Sequence, residues 1–292
     1  MLLKCPLFTY WLITAGRRKD LAGRTLKLIS GLCYLPHPDN EETGGEDAHF
    51  ICADEQAIVD AIQDEPMGDI DPARVLEKAH LSTKDKGYST ACIIALTDQN
   101  WTYNFCFALQ SLHAINLGDS GFIVVRDGCT IFRSLVQQHH FNFTYQLEGE
   151  NSGDLPGSGQ VFTIPVAPGD VVIAGTNGLF DNMYNNEVTA VVVHAMRAGL
   201  GAQVTAQKIA ALARQQAQDK NRQTPLSAAA QDAGLPHLAT LVRDQRLGAN
   251  VGSTQRPTGL GGKLDDITVV VSYITSTSNV LESSSPLAND SS

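Results

Sequence analysis

The sequence predicts an α+β domain built on antiparallel sheets. First, the centre of the chain reads as closely spaced strands, "STACIIALT" (89–97), "NFCFALQ" (104–110), "SLHAINLG" (111–118) and "GFIVVRDG" (121–128). Second, the later third turns to helical spacing. Third, the two classes interleave without a βαβ rhythm. Several strands are apolar at consecutive positions, which implies burial on both faces: two sheets packed together, or a sheet covered by helices.

Each element follows from local chemistry. "CYLPHPDNEETGGED" (33–47) carries Pro, Gly and acids and reads as a loop, and "AHFICA" (48–53) as a short strand. "DPARVLEKAHLS" (71–82) opens on an Asp-Pro helix start and spaces Val75, Leu76 and Ala79 on one face. Asp127-Gly128 between "FIVVR" and "CTIFR" predicts a type I′ hairpin, which needs positive φ at both turn residues. "QVFTIPV" (160–166), a Pro-Gly-Asp turn (168–170) and "DVVIAGT" read as another antiparallel pair. Three helices follow: 185–199, capped by Asn186 and stopped at Gly199; 204–220, with Val204, Ile209, Ala211 and Leu212 in near-helical spacing; and 224–234, from a Thr-Pro cap to Gly234. A looser stretch (235–262) precedes "GGKLDDITVVVSYI" (261–274), a Gly-rich turn entering an apolar strand. The Ser-rich tail, 276–292, is expected to be disordered.

Composition narrows the function classes. The 292 residues are 43% hydrophobic and 18% charged, with 21 basic against 31 acidic side chains and a net charge of −10. That balance argues against a nucleic-acid partner and suits divalent cations or a basic partner. Residues 1–30 run the other way, with Lys4, Arg17, Arg18, Lys19, Arg24 and Lys27 against Asp20 alone. With the apolar run "CPLFTYWLITAG" (5–16) before "RRK", residues 1–32 leave open a signal h-region, an organelle transit segment or a frayed terminus. The basic, acid-poor character leans toward mitochondrion or plastid, with the cytoplasm otherwise expected. No stretch reaches the ~20 apolar residues of a membrane span. Six scattered cysteines, with no CxxC pair, indicate a reduced compartment.

Four polar turns abut strand ends: "GGEDAHF" (44–50), "NLGDSGF" (116–122), "GTNGLFD" (175–181) and "GGKLDDIT" (261–268). Carboxylates brought from several strand ends to one point repel unless a cation lies between them. Hard oxygen ligands suit Mg²⁺ or Mn²⁺, and no Cys/His cluster points to zinc. Singly, each such turn is more often structural. Adjacent His139 and His140 would face opposite sides of a strand, and Gly261-Gly262-Lys263 lacks the rest of a phosphate-binding loop.

In order, "LPHPDNEETGGEDAHF", "KGYSTACIIAL", "LHAINLGDSGFIVVRDG", "QQHHFNFTYQLE", "GTNGLFDNMYNNEV" and "GGKLDDITVVVSYI" resemble the type 2C metal-dependent protein serine/threonine phosphatases, in the plant-like subgroup related to mitochondrial-matrix phosphatases. The resemblance spans residues 34–274 and implies a two-layer antiparallel β-sandwich flanked by helices, as a domain over 33–275. It implies Mn²⁺ or Mg²⁺ at one edge, with a metal-activated water hydrolysing phosphoserine or phosphothreonine of a phosphoprotein substrate. Glu46 and Asp47 would hold metal-bound waters, Asp265 would ligate a second ion with Asp266 beside it, and Asp119 matches an acid that can hold a third. Position 177 matches a metal-binding Asp and here is Asn177. No catalytic residue separate from these ligands is implied.

The chain departs from the pattern a second time. After "AHFICADEQAI" the family's Asp-Gly turn, whose Asp bridges two metals, has no counterpart, and two to three dozen residues of the pattern are missing near Ile58–Val59. Without that carboxylate, and with an amide at 177, weakened metal binding is expected, as is a sheet left incomplete near residue 58. Two readings follow: an active phosphatase, or a catalytically impaired phosphatase-like variant acting as a binding protein.

Overall fold

The computed structural model describes residues 8–15, 24–43, 70–83, 87–97, 110–148, 153–235 and 261–278. Along the chain run β1 (Phe8–Ala15), β2 (Arg24–Leu35), a 3-10 turn (Pro38–Thr43), α1 (Pro72–Ser82), β3 (Tyr88–Thr97), β4 (Ser111–Leu117), β5 (Gly121–Arg126) and β6 (Cys129–Arg133). Three short strands follow, β7 (Gln138–His140), β8 (Phe143–Thr144) and β9 (Leu147–Glu148), then β10 (Gln160–Pro165) and β11 (Val171–Gly175). Helices α2 (Asn177–Phe180), α3 (Asn185–Arg197), α4 (Ala202–Gln218) and α5 (Pro225–Asp232) lead to the last strand, β12 (Ile267–Ser278).

Two sheets stack face to face. One runs β1-β3-β4-β10, with β9 also on β3; the other runs β2-β12-β11-β5-β6. The double-sided burial expected from the apolar runs is what the strands do. On β3, Cys92, Ile94 and Leu96 point into the layer shared with Phe122, Val124, Val172 and Val270 of the facing sheet. Their neighbours Ala91 and Ile93 point outward onto Val75, Leu76 and Ala79 of α1. The second sheet does the same, turning Ile123, Ile173, Val269 and Val271 outward onto Val192, Ala206, Ile209 and Ala213 of α3 and α4. The period of two thus feeds three apolar layers, and fully burying each such side chain stabilises the fold by about 1.5–3 kcal/mol.

Several local expectations hold. Asp127 and Gly128 have φ of 51° and 78°, the signs a type I′ turn requires. The Asp71 carboxylate caps α1, accepting from the backbone N of Ala73 at 2.9 Å. Thr224 caps α5, accepting from Ser227 N at 3.3 Å, and Gly199 and Gly234 take positive φ beyond α3 and α5.

Other expectations are corrected. β10 and β11 do not pair with each other: β10 lies on β4 in one sheet and β11 between β12 and β5 in the other. The Pro-Gly-Asp turn is a crossing between layers. Asp170 holds it, accepting from Ala167 N at 2.8 Å and from Arg126 Nε and Nη2 at 2.8 and 2.6 Å. Helix α3 is capped by Tyr184 rather than Asn186, because the Glu187 carboxylate reaches back to Tyr184 N at 2.8 Å.

Strand pairing also reaches into the N-terminal residues. The boundary between residues 32 and 33 falls inside β2, which pairs with β12 over twelve positions from Leu35↔Ile267 to Arg24↔Ser278. Residues 8–15 form β1, parallel to β3 from Phe8↔Ser89 to Ala15↔Leu96. This parallel strand in an otherwise antiparallel sheet takes the edge of β3. At the other end of the sheet β12 runs to Ser278. The expected strands at 48–53 and 104–109 and the gap near Ile58 lie outside the described residues.

Candidate metal centre

Register alone brings the candidate residues to one edge. At the end of β11, Gly175 is opposite Gly121, the first residue of β5, and opposite Val269 near the start of β12. The turn before β5 carries Asp119, the segment after β11 carries Asn177, and the segment before β12 carries Asp265. Three links therefore converge where three antiparallel strands begin or end. At this same edge β2 finishes, Leu35 being opposite Ile267.

The loop at 177 is not an Asn-Gly turn. Thr176 is extended with ψ 174°, and Asn177 starts the single turn of α2. Gly178 is there for contact rather than for positive φ: a Cβ would stand 1.9 Å from the carbonyl oxygen of Asp266. Asn182 fastens the same junction, its amide donating to Gly178 O and Lys263 O, each at 2.9 Å, and accepting from Lys263 N at 2.9 Å. Thr176 Oγ1 completes it by accepting from Thr268 N at 3.1 Å.

Four charged side chains meet at this junction. Lys263 Nζ lies 3.1 Å from Asp181 Oδ2 and 3.0 Å from Asp265 Oδ2. The lysine side chain is only 12% exposed and the two acids 20% and 14%, so these are not solvent-screened surface pairs. Asp119 completes the group, its Oδ2 accepting a long hydrogen bond of 3.4 Å from the Asn177 amide. Burial, then the charge of Asp181, push the Asp119 carboxyl up to about 6 against the pull of Lys263. Burial also raises Asp181, opposed mainly by Lys263. Burial by itself would lower Lys263, but Asp181, Asp265 and Asp119 outweigh it and push the ammonium up. Three carboxylates thus face one ammonium. Arg133 stands nearby with its guanidinium 5.8 Å from the Phe180 ring centre, and both line a cleft with Asp119 and Ser120.

The expected site residues divide into three groups. Asp119, Asn177 and Asp265 come together. Asp266 is turned the other way and is 2% exposed: its carboxylate accepts from His37 N at 2.6 Å and from the Tyr34 hydroxyl at 3.1 Å, tying the end of β2 to β12. Glu46 and Asp47 lie outside the described residues. His139 lies apart from this group; its Nε2 is 3.1 Å from both Asp154 oxygens and its ring stacks on Tyr145. Sequence reasoning passed over Asp181 and Lys263. Asp181 stands four residues after Asn177, one turn along the same helix face, and Lys263 stands two before Asp265, the same-side spacing of an extended segment.

The donor set has the chemistry of a hard divalent ion's shell: carboxylate oxygens in surplus over the one ammonium, with the acidity of Asp119 suppressed first by burial and then by the charge of Asp181. Among the described residues, however, no three His, Cys, Asp or Glu side chains are grouped so as to enclose an ion. The ammonium stands between two of the acids.

No family model matches the chain. It is 60% identical over 281 positions to the probable protein phosphatase 2C 55 of Arabidopsis thaliana, covering 87% of this chain and 53% of the relative. It is 53% identical over 281 positions to the probable protein phosphatase 2C 80 of the same plant, covering 87% and 60%. Among solved structures, the X-ray structure of the photosystem II phosphatase PBCP superposes with a TM-score of 0.69 at 26% identity, covering 85% of this chain and 98% of that one. The chain belongs to the protein phosphatase 2C family, whose members are metal-dependent serine/threonine phosphatases. It spans 53–60% of the length of the two Arabidopsis relatives. Alignments of 281 positions that use 87% of 292 residues leave some two to three dozen positions of each relative without a counterpart here. That is the size of the segment expected to be missing near Ile58–Val59.

Proposed function

We propose that this chain is a phosphoserine/phosphothreonine phosphatase domain with a weakened divalent-cation centre, acting on phosphoprotein substrates. The observation that carries the reading is the convergence of Asp119, Asp181 and Asp265 at the edge where β5, β11 and β12 meet. Asp119 and Asp265 would hold Mn²⁺ or Mg²⁺, with Glu46 and Asp47 of "GGEDAHF" as further candidates on the strength of the resemblance. Bound there, a divalent ion makes water a usable nucleophile near neutral pH and shields phosphoryl charge.

The chain's own groups have definite tasks. Asp265 is held by Asp266 N, which donates to its Oδ1 at 3.0 Å, and by Lys263 at Oδ2, so its carboxylate is oriented in advance. The Asn177 carbonyl is a neutral donor where a carboxylate would offset half a dication's charge. Arg133, beside Asp119 in the cleft, supplies a cation suited to a phosphoryl oxygen.

A second reading, phosphoprotein binding without turnover, is favoured by Asn177 together with the missing segment. The two are separated by Mn²⁺ calorimetry with p-nitrophenyl phosphate and phosphopeptide hydrolysis followed in the same samples. Turnover abolished by Asp265→Ala supports the first. Phosphopeptide binding with no turnover at saturating Mn²⁺ supports the second.

For the compartment we infer a plastid or mitochondrial address. The six basic side chains of residues 1–30 and the likeness to a photosystem II phosphatase support it. The pairing of β1 and β2 within the sheets counts against removal of that segment. Among the described residues no helix is long and apolar enough to cross a membrane.

A further inference from the structure

We propose that Lys263 is a resident cation of the acidic centre: its ammonium takes up carboxylate oxygens of Asp181 and Asp265 that would otherwise bind a divalent ion, so the centre holds one ion fewer than its acids could support. The inference rests on reading this edge as a divalent-cation centre and adds a residue that limits its occupancy.

The geometry points to a built-in position rather than a chance surface pair. The ammonium is within 3.1 and 3.0 Å of oxygens from two different loops, one after β11 and one before β12. Its root is fixed. Asn182 grips both the N–H and the carbonyl of Lys263. The preceding Gly262 donates to Asp219 O at 3.0 Å, and a Cβ on it would fall 2.3 Å from Gln216 O, so the backbone is pressed against α4. A lysine rooted this way cannot withdraw without undoing the junction that also seats Gly178 against Asp266. Tethering gives the ammonium an effective concentration far above that of a free ion, which is how a single charge competes with a double one.

Removing the ammonium while keeping the chain length of the side chain isolates the effect. In Lys263→Met, Asp181 and Asp265 lose their counterion and sit with Asp119 as three facing carboxylates. The full chain and the variant are compared for Mn²⁺ stoichiometry by calorimetry and equilibrium dialysis, without substrate. Lys263→Met is expected to bind one more equivalent than wild type, to melt at a lower temperature in EDTA, and to recover more of its melting temperature on adding Mn²⁺. Lys263→Arg, which keeps the charge, is expected to retain the wild-type stoichiometry. Equal or smaller stoichiometry in Lys263→Met overturns the inference, as does an extra ion in Lys263→Arg. Should Lys263→Met be unfolded in EDTA, circular dichroism is read after refolding in millimolar Mn²⁺. Recovery of the fold upholds the exchange of ammonium for metal, and persistent unfolding overturns it. The outcome is separable from the phosphatase reading. Turnover in wild type with no ion gained in Lys263→Met sinks only this inference, whereas an ion gained with no turnover in any form sinks only that reading.

Discussion

Asn177→Asp restores the carboxylate that the family pattern has at the head of α2, and its cost follows from the neighbours. The Asn177 amide nitrogen is 3.4 Å from Asp119 Oδ2. Two like charges at that distance repel by about 5 kcal/mol at an effective dielectric near 20. Both side chains are half-buried, so solvent screening reduces the working figure to about 2 kcal/mol. The substitution should therefore lower unfolding free energy by about 2 kcal/mol in EDTA, measured by urea titration at low salt and pH 7.5. A divalent ion between the carboxylates removes that repulsion, and 2 kcal/mol is about 30-fold in affinity. Mn²⁺ should accordingly bind the variant about 30-fold more tightly by calorimetry and return its stability to wild type or above. A variant as stable as wild type in EDTA, or one with unchanged Mn²⁺ affinity, would refute the placement of residue 177 at the ion.

Three further substitutions or titrations test the frame around the centre. Gly178→Ala forces a Cβ to 1.9 Å from a backbone oxygen, not a flexible side chain, so a loss of about 3 kcal/mol or more is expected in urea titration; a change under about 0.5 kcal/mol would mean the junction is loose. Asp170→Ala strips the crossing between sheets of its hydrogen bonds to Arg126 and Ala167; because Arg126 is 36% exposed and can rehydrate, about 2–3 kcal/mol is expected rather than more. Cys92 lies between the sheets, and burial raises its thiol well above its ordinary value. Its proton is bound more tightly folded than unfolded, so this contribution to stability is intact below pH ~8.5 and declines as pH rises past it. Iodoacetamide at pH 8.5 should label exposed Cys129 and spare Cys92 until urea is added, which mass spectrometry of tryptic peptides decides.

What the residues disclosed, and what they withheld, sorts by range. Signals within a few positions were legible: the positive-φ pair at Asp127-Gly128, the Asp71 and Thr224 caps, the alternating faces of β3. Pairings between distant strands were not. "QVFTIPV" and "DVVIAGT" are neighbours in sequence with a good turn between them, yet each turns an apolar face to the core shared by both sheets and so they part company at Asp170. The polar tips at Asp119, Asn177 and Asp265 were readable as candidates, because Gly and acid beside an apolar strand is a local pattern. That Lys263 and Asp181 belong with them was invisible locally, since Lys263 meets Asp181 only when β11 and β12 pair. Asp266 shows the converse. Next to Asp265 in sequence, it faces the opposite way, as adjacent residues of an extended chain must.

The pairing of β2 with β12 has a consequence for how the chain acquires its shape during synthesis. β12 lies between β2, made long before it, and β11, and its register with β2 runs through Ser278. Until β12 is in place, β2 lacks the strand it pairs with and β11 is paired only on its β5 side, so each offers an open ladder edge to other chains. Assembly of the second sheet therefore joins strands of long sequence separation and is slow by topology. One short segment, 261–278, thus supplies Lys263 and Asp265 of the acidic centre and the middle strand of the second sheet together, so that centre and that sheet are completed in the same event.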